Sequence, residues 1–154
     1  MGKEGSVGLI TYMRTDSVRV ADVAAADIRS YIESEFGKEF RPSHANSYSS
    51  KKNAQDAHEA IRPTSVHRTP LEMAKHLNKD QLKLYSLIWN RAVASQMASA
   101  VFDVTTLLIG AGDYQLRATG SVLKFEGFLK LSDKKKTCSR IRIKPFLIWR
   151  LKRL

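Results

Sequence analysis

"GLITYMRTDS", residues 8–17, decides how the rest of this chain is read. Gly8 leads into Leu9, Ile10, Thr11 and Tyr12, a run of branched and aromatic side chains that predicts a short strand. Asp16 and Ser17 are good helix N-caps, and the sequence beyond them has helical periodicity. Residues 12–16 therefore fall where a strand ends and a helix begins. Backbone N–H groups point outward at such a helix start and attract an anion. Arg14 adds a permanent charge whose planar donor fork suits phosphate. A tyrosine hydroxyl beside a phosphate site can act as a covalent nucleophile. The ordinary alternative is an aromatic packed in the core with its hydroxyl satisfied, and local physics leaves both open.

The chain has 154 residues, enough for one ordinary domain or pieces of two. It holds no apolar run long enough to span a membrane and no leader with a basic start and an apolar centre. Cys138 is the single cysteine, which excludes a disulfide framework and a multi-cysteine zinc site and points to a reducing, intracellular setting. The net charge of +11 is unevenly spread. Residues 134–154 carry nine Lys or Arg and no acid, whereas the rest carries 17 basic and 15 acidic side chains. The body is almost neutral, and any electrostatic attraction to nucleic acid belongs to the tail.

Residues 16–36 predict a first helix, with Val20, Val23, Ala24, Ile28, Tyr31 and Ile32 at helical spacing and Gly37 as its stop. "RPSHANSYSSKKNAQ" reads as a polar loop, and "DAHEAI" as a short helix ended by Arg62-Pro63. Thr69-Pro70 is a cap followed by a proline at the first helical position, opening "LEMAKHL". Asn78 or Asp80 starts the strongest helix, where Leu84, Tyr85, Ile88, Trp89, Ala92 and Val93 form an apolar stripe. From Phe102 the pattern changes. "FDVTTLLI", "YQLRATG" and "VLKFEGFLKL" are strand-like, with "GAGD" suited to a hairpin loop. Helices first and strands second predict an α+β chain whose boundary lies near residues 98–101. The tail, "KKKTCSRIRIKPFLIWRLKRL", reads as a basic arm, an amphipathic segment or sequence foreign to what precedes it.

Two motifs together carry a family resemblance. "GLITYMRTDS" and "AHEAIRPT" (residues 57–64) resemble the active-site segment of bacterial DNA topoisomerase I, a type IA topoisomerase. The similarity continues through "LYSLIWNRAVASQM" and "GAGDYQLRATG" to about Lys130. The wording "YMRTDS" sides with this branch rather than with topoisomerase III, which looks more like "YPRTD"; reverse gyrase carries a similar module.

The resemblance implies roles. Tyr12 attacks a phosphodiester of single-stranded DNA and becomes joined to the 5′ phosphate, while Arg14 holds the scissile phosphate and stabilises its developing charge. His58 serves DNA binding and cleavage near the same phosphate. Asp16 is first a helix cap and second a partner orienting Arg14, and Arg62 serves either structure or phosphate contact; both are candidate DNA-binding residues. A free tyrosine titrates at about pH 10, so a nearby cation that favours the phenolate and the charged phosphorane lowers the barrier. Strand passage and re-ligation would relax negatively supercoiled duplex DNA without ATP, in the cytoplasm on the nucleoid.

The resemblance also implies what the chain needs from elsewhere. In the family, Mg²⁺ is held by the acidic cluster of a Toprim domain, and nothing in this sequence resembles that cluster. No metal ligands are expected here: His58-Glu59 lacks the second histidine of a zinc-protease helix, because position 62 is arginine. The expected organisation is a mainly helical, helix-turn-helix-like tyrosine domain (residues 1–98), antiparallel strands of a neighbouring β domain (99–133) and a basic tail (134–154). Such a piece is expected to be inactive alone and to require the remaining topoisomerase domains. A non-catalytic DNA-binding module and a degenerate truncated product are the competing readings. Tyr12, Arg14 and His58 are expected to converge on one surface, and the strands to expose an apolar face.

Overall fold

Tyr85, Trp89 and Val93 recur every four residues along one helix and are its buried side chains, so this stripe sets the core. In the computed structural model, residues 7–13, 15–48, 59–112, 114–132 and 142–144 are described. The chain divides into two compact units, Met1–Ala98 and Ser99–Leu154. Among the described residues no helix is long and apolar enough to cross a membrane.

The first unit is helical. Helix α1 (Asp22–Phe36) buries Ala25, Ile28, Tyr31 and Ile32, and a 3-10 turn follows at Lys38–Phe40. Gly37 stops α1 at φ 104, where an added Cβ would meet the Glu39 carboxylate at 2.8 Å. Helix α2 (Pro70–Met73) is a single turn with a capping box between Thr69 and Glu72. Helix α3 (Lys79–Ser95) starts at Asn78, whose side chain accepts from the Gln81 N–H while Gln81 caps in return. Tyr31 packs edge-on against Trp89 at a centroid distance of 5.6 Å, which ties α1 to α3, and against Phe36 of its own helix at 6.3 Å.

The structure departs from the sequence expectations at several elements. Helix α1 begins at Asp22, not at Asp16 or Ser17, and Ala21 is its N-cap without a side-chain cap. Residues 17–21 instead run alongside residues 59 and 60: the Ala60 N–H donates to the Arg19 carbonyl at 2.8 Å. The strand foreseen after Gly8 is one isolated antiparallel bridge, Ile10↔Pro63. "LEMAKHL" yields only the turn α2, and Leu84 of the foreseen stripe is exposed. The described part of "DAHEAI", residues 59–61, is not helical; residues 56–58 lie outside the described residues.

The second unit is an antiparallel sheet in the order β1-β2-β3: β1 (Val101–Ala111), β2 (Tyr114–Phe125) and β3 (Arg142–Lys144). β1 pairs with β2 from Phe102↔Leu123 to Ala111↔Tyr114, with a register shift between Val101 and Phe102. Gly112, at φ 60, follows β1 in the connection to β2, where "GAGD" predicts a tight turn. β3, from within the basic tail, pairs through Ala118↔Ile143 and its two neighbours. Residues 127–131, expected as strand, form a 3-10 turn. Leu107, Ile109, Leu116 and Val122 lie on one face of the β1–β2 ribbon and Val104 and Leu108 on the other, all exposed. The mixed architecture, helices followed by antiparallel strands, is the α+β class read from the sequence.

Candidate functional site

The two motifs, more than forty residues apart in sequence, lie side by side. The Thr11 N–H donates to the Arg62 carbonyl at 2.9 Å and the Thr64 N–H donates to the Leu9 carbonyl at 3.0 Å. These two bonds flank Ile10 and Pro63, which form the pair whose own backbone groups face away from each other. A proline fits that position because its missing N–H breaks no rung. The Thr64 hydroxyl adds a bond to the Gly8 carbonyl at 2.8 Å.

The Thr11 side chain turns into the second motif. Its hydroxyl donates to the Ala60 carbonyl at 3.1 Å and accepts the Arg62 N–H at 3.0 Å. Tyr12, the next residue, is 83% exposed. Side chains at neighbouring positions of extended chain point to opposite sides, so anchoring Thr11 inward directs Tyr12 outward. Tyr12 is therefore not the core aromatic of the alternative reading.

Glu59 ties this seam to α1. Its carboxylate accepts from Arg62 Nε at 2.7 Å and Nη2 at 3.1 Å, and Oε1 also accepts the Ala21 N–H at 3.0 Å. Burial alone would raise the Glu59 carboxyl, but the Arg62 hydrogen bonds, the Ala21 N–H and the charges of Arg62 and Arg19 outweigh it and hold it below its ordinary value. Arg62 Nη1 donates to the Pro63 carbonyl at 3.0 Å, so its fork is committed within the protein.

The helices hold the segment after Pro63. Trp89 Nε1 donates to the Val66 carbonyl at 2.9 Å and the Tyr85 hydroxyl donates to the Arg68 carbonyl at 2.6 Å. Burial raises the Tyr85 phenol, with Arg68 opposing and Glu72 adding to the shift, which keeps it a protonated donor. His67 sits 3.3 Å from Asp27 and stacks edge-on against Tyr31 at 5.7 Å. On the other side, Arg29 donates to the carbonyls of Pro42, Ser43 and His44, and Asn46 Nδ2 donates to the Ser95 carbonyl at 2.8 Å. Core aromatics thus hold backbone positions just beyond the second motif through the polar tips of Tyr85 and Trp89.

Of the residues expected at the site, Tyr12 stands exposed beside the seam, Asp16 is exposed at the bend that follows, and Arg62 is half-buried against Glu59. Arg14 and His58 lie outside the described residues. Thr11 and Glu59 are the residues that sequence reasoning missed. Their partners are distant backbone groups and an arginine outside a helix, and no local pattern announces them. Among the described residues no group of three or more His, Cys, Asp or Glu is placed to hold a metal ion, so the Mg²⁺ implied by the resemblance finds no ligand set there.

A family model described as DNA topoisomerase matches residues 5–146, a span that runs past Lys130 and takes in β3. The solved structure of full-length topoisomerase I from Thermotoga maritima is similar to this chain at 37% sequence identity and a TM-score of 0.73. The match covers 94% of this chain and 23% of that one, so the chain spans about a quarter of its relative's length.

Proposed function

This chain belongs to the bacterial type IA DNA topoisomerase family, and on that premise we propose that it carries the nucleophile-bearing part of a site that cleaves and re-joins single-stranded DNA. The observation that supports this most is the seam between the two motifs, which leaves Tyr12 exposed one residue beyond it. In the proposed step the Tyr12 oxygen attacks a backbone phosphorus and loses its proton. The bond from phosphorus to the 3′ oxygen breaks, and that oxygen leaves as a hydroxyl after taking up a proton. The 5′ phosphate stays on tyrosine. One phosphoester replaces another, so the reverse attack re-seals the strand without a nucleotide.

Arg14 is assigned to the scissile phosphate, where a guanidinium stabilises the charge on the equatorial oxygens. His58 directly precedes Glu59, which is anchored at the seam, and is assigned to the same phosphate. Asp16 is assigned to orient Arg14 and to the DNA-contacting surface. For Arg62 the geometry favours shaping the segment that follows His58 over direct phosphate contact, because Glu59 and Pro63 occupy its fork. Strand passage and ATP-independent relaxation of negatively supercoiled DNA would belong to the protein with its remaining domains, acting in the cytoplasm on nucleoid DNA. Magnesium would be supplied with the Toprim domain.

The test adds a purified Toprim-containing topoisomerase segment to this chain, with magnesium and a labelled single-stranded oligonucleotide. Recovered covalent cleavage supports the proposal. Binding without cleavage favours a non-catalytic DNA-binding module, and the absence of both favours a degenerate truncated product with no activity of its own.

A further inference from the structure

We propose that Thr11 is a positioning residue for the cleavage step: its hydroxyl latches the second motif to the first and thereby fixes the direction of Tyr12. The inference rests on the reading of Tyr12 as nucleophile. The Thr11 hydroxyl is the one side-chain group in the described seam that both donates across it and accepts back, to the Ala60 carbonyl at 3.1 Å and from the Arg62 N–H at 3.0 Å. It therefore fills both roles that a hydroxyl offers. The same residue's backbone N–H meets the Arg62 carbonyl at 2.9 Å, so three contacts converge on residue 11.

Residues 12 and 13, immediately after this latch, are exposed, and the isolated bridge at Ile10 is the sole ladder rung described for this segment. A backbone with one rung on one side keeps torsional freedom unless a side chain removes it. A nucleophile displaced by about 1 Å loses on the order of a hundredfold in rate, so a latch one residue away acts on chemistry. The other end is equally fixed. Residues 59–62 wrap the Thr11 hydroxyl while Glu59 holds Arg62 and the Ala21 N–H, which makes the receiving side a preset cradle. Valine has threonine's shape without the hydroxyl and would leave the Ala60 carbonyl and the Arg62 N–H without this partner. Serine keeps the hydroxyl and sheds only a methyl group.

The test compares wild type, Thr11→Val, Thr11→Ser and Tyr12→Phe, each combined with the Toprim-containing segment. Single-turnover adduct formation is measured at saturating single-stranded oligonucleotide, with affinity for the same oligonucleotide measured separately. Thr11→Val should lower the rate constant about 10- to 100-fold while changing affinity less than about threefold, and Thr11→Ser should restore the rate to within about fivefold of wild type. Thermal unfolding of each chain is read in parallel. A Thr11→Val protein that is folded at the assay temperature and cleaves at the wild-type rate overturns the assignment. So does a serine variant as slow as the valine variant, because the hydroxyl is then not what matters. Adduct from wild type but not from Tyr12→Phe keeps the nucleophile reading standing whatever Thr11 does. No adduct from wild type removes that reading, and this inference with it.

Discussion

Replacing Glu59 with alanine should destabilise the helical unit by roughly 2–3 kcal/mol. The substitution removes two hydrogen bonds from Arg62, at 2.7 and 3.1 Å, and one from the Ala21 N–H at 3.0 Å. Hydrogen bonds to a charged acceptor contribute about 1.5–3 kcal/mol each, and breaking a buried pair costs about 3–5 kcal/mol. The Glu59 and Arg62 side chains retain 28% and 18% of their exposure, so water recovers part of that loss. Glu59→Gln keeps an acceptor for Ala21 and for one Arg62 nitrogen and should cost only about 1 kcal/mol.

The same pair gives the pH dependence. The Glu59 carboxyl is held below its ordinary 4.5, so the unfolded chain binds the proton more readily than the folded one. Its stabilisation is complete above that ordinary value and disappears as pH falls through the lowered folded value. The assay is urea unfolding followed by Trp89 fluorescence in a Trp149→Phe background, which leaves one tryptophan to report. The gap between wild type and Glu59→Gln should be constant from about pH 6 to 8 and should close below about pH 4.5. Glu59→Ala within about 0.5 kcal/mol of wild type at pH 7, or a gap that widens on acidification, would refute the reasoning.

Trp89→Ala should cost about 3–5 kcal/mol, because it empties a core site and strands the Val66 carbonyl, and loss of a cooperative helical melting transition is the readout. Thr69→Ala breaks the capping box of α2 and should cost about 1 kcal/mol in the same urea titration, with no change in slope. Replacing Lys134, Lys135 and Lys136 with glutamine leaves the residues of β3 untouched. If the tail meets single-stranded DNA, the slope of log affinity against log salt should fall by about 2, at roughly 0.7 per neutralised phosphate.

What the sequence revealed and what it hid divide along the range of the interactions. Helix α3 was legible because its signals are local: Asn78 and Gln81 cap within three residues, and the four-residue repeat of Tyr85, Trp89 and Val93 faces the core. The start of α1 was misread because Asp16 and Ser17 are attractive caps whose segment is claimed by residues 59 and 60, and Glu59 receives the Ala21 N–H from across the fold. The strand after Gly8 is one bridge because the Arg62 N–H, which would complete the next rung to the Thr11 carbonyl, goes to the Thr11 hydroxyl instead. In the hairpin, β-branched content and the glycine turn gave β1 and β2, whereas Glu126 at φ −69, ψ −38 turns the chain into the 3-10 segment that ends the apparent strand. At the site, the motif points to Tyr12 as the proposed nucleophile. The bonds of the Thr11 hydroxyl to residues 60 and 62 are not legible, because its partners are backbone groups that carry no sequence signature.

The most direct test of the account is the identity of the residue that becomes joined to DNA. Adduct formed in the complemented reaction is digested with a nuclease and then with trypsin, and the modified peptide is fragmented in a mass spectrometer. Cleavage after Lys3 and Arg14 releases residues 4–14, in which Tyr12 is the sole tyrosine beside the hydroxyls of Ser6 and Thr11. The account predicts a nucleotide held through its 5′ phosphate on Tyr12. A nucleotide on any other residue of this chain, or adduct that persists in Tyr12→Phe, would contradict it.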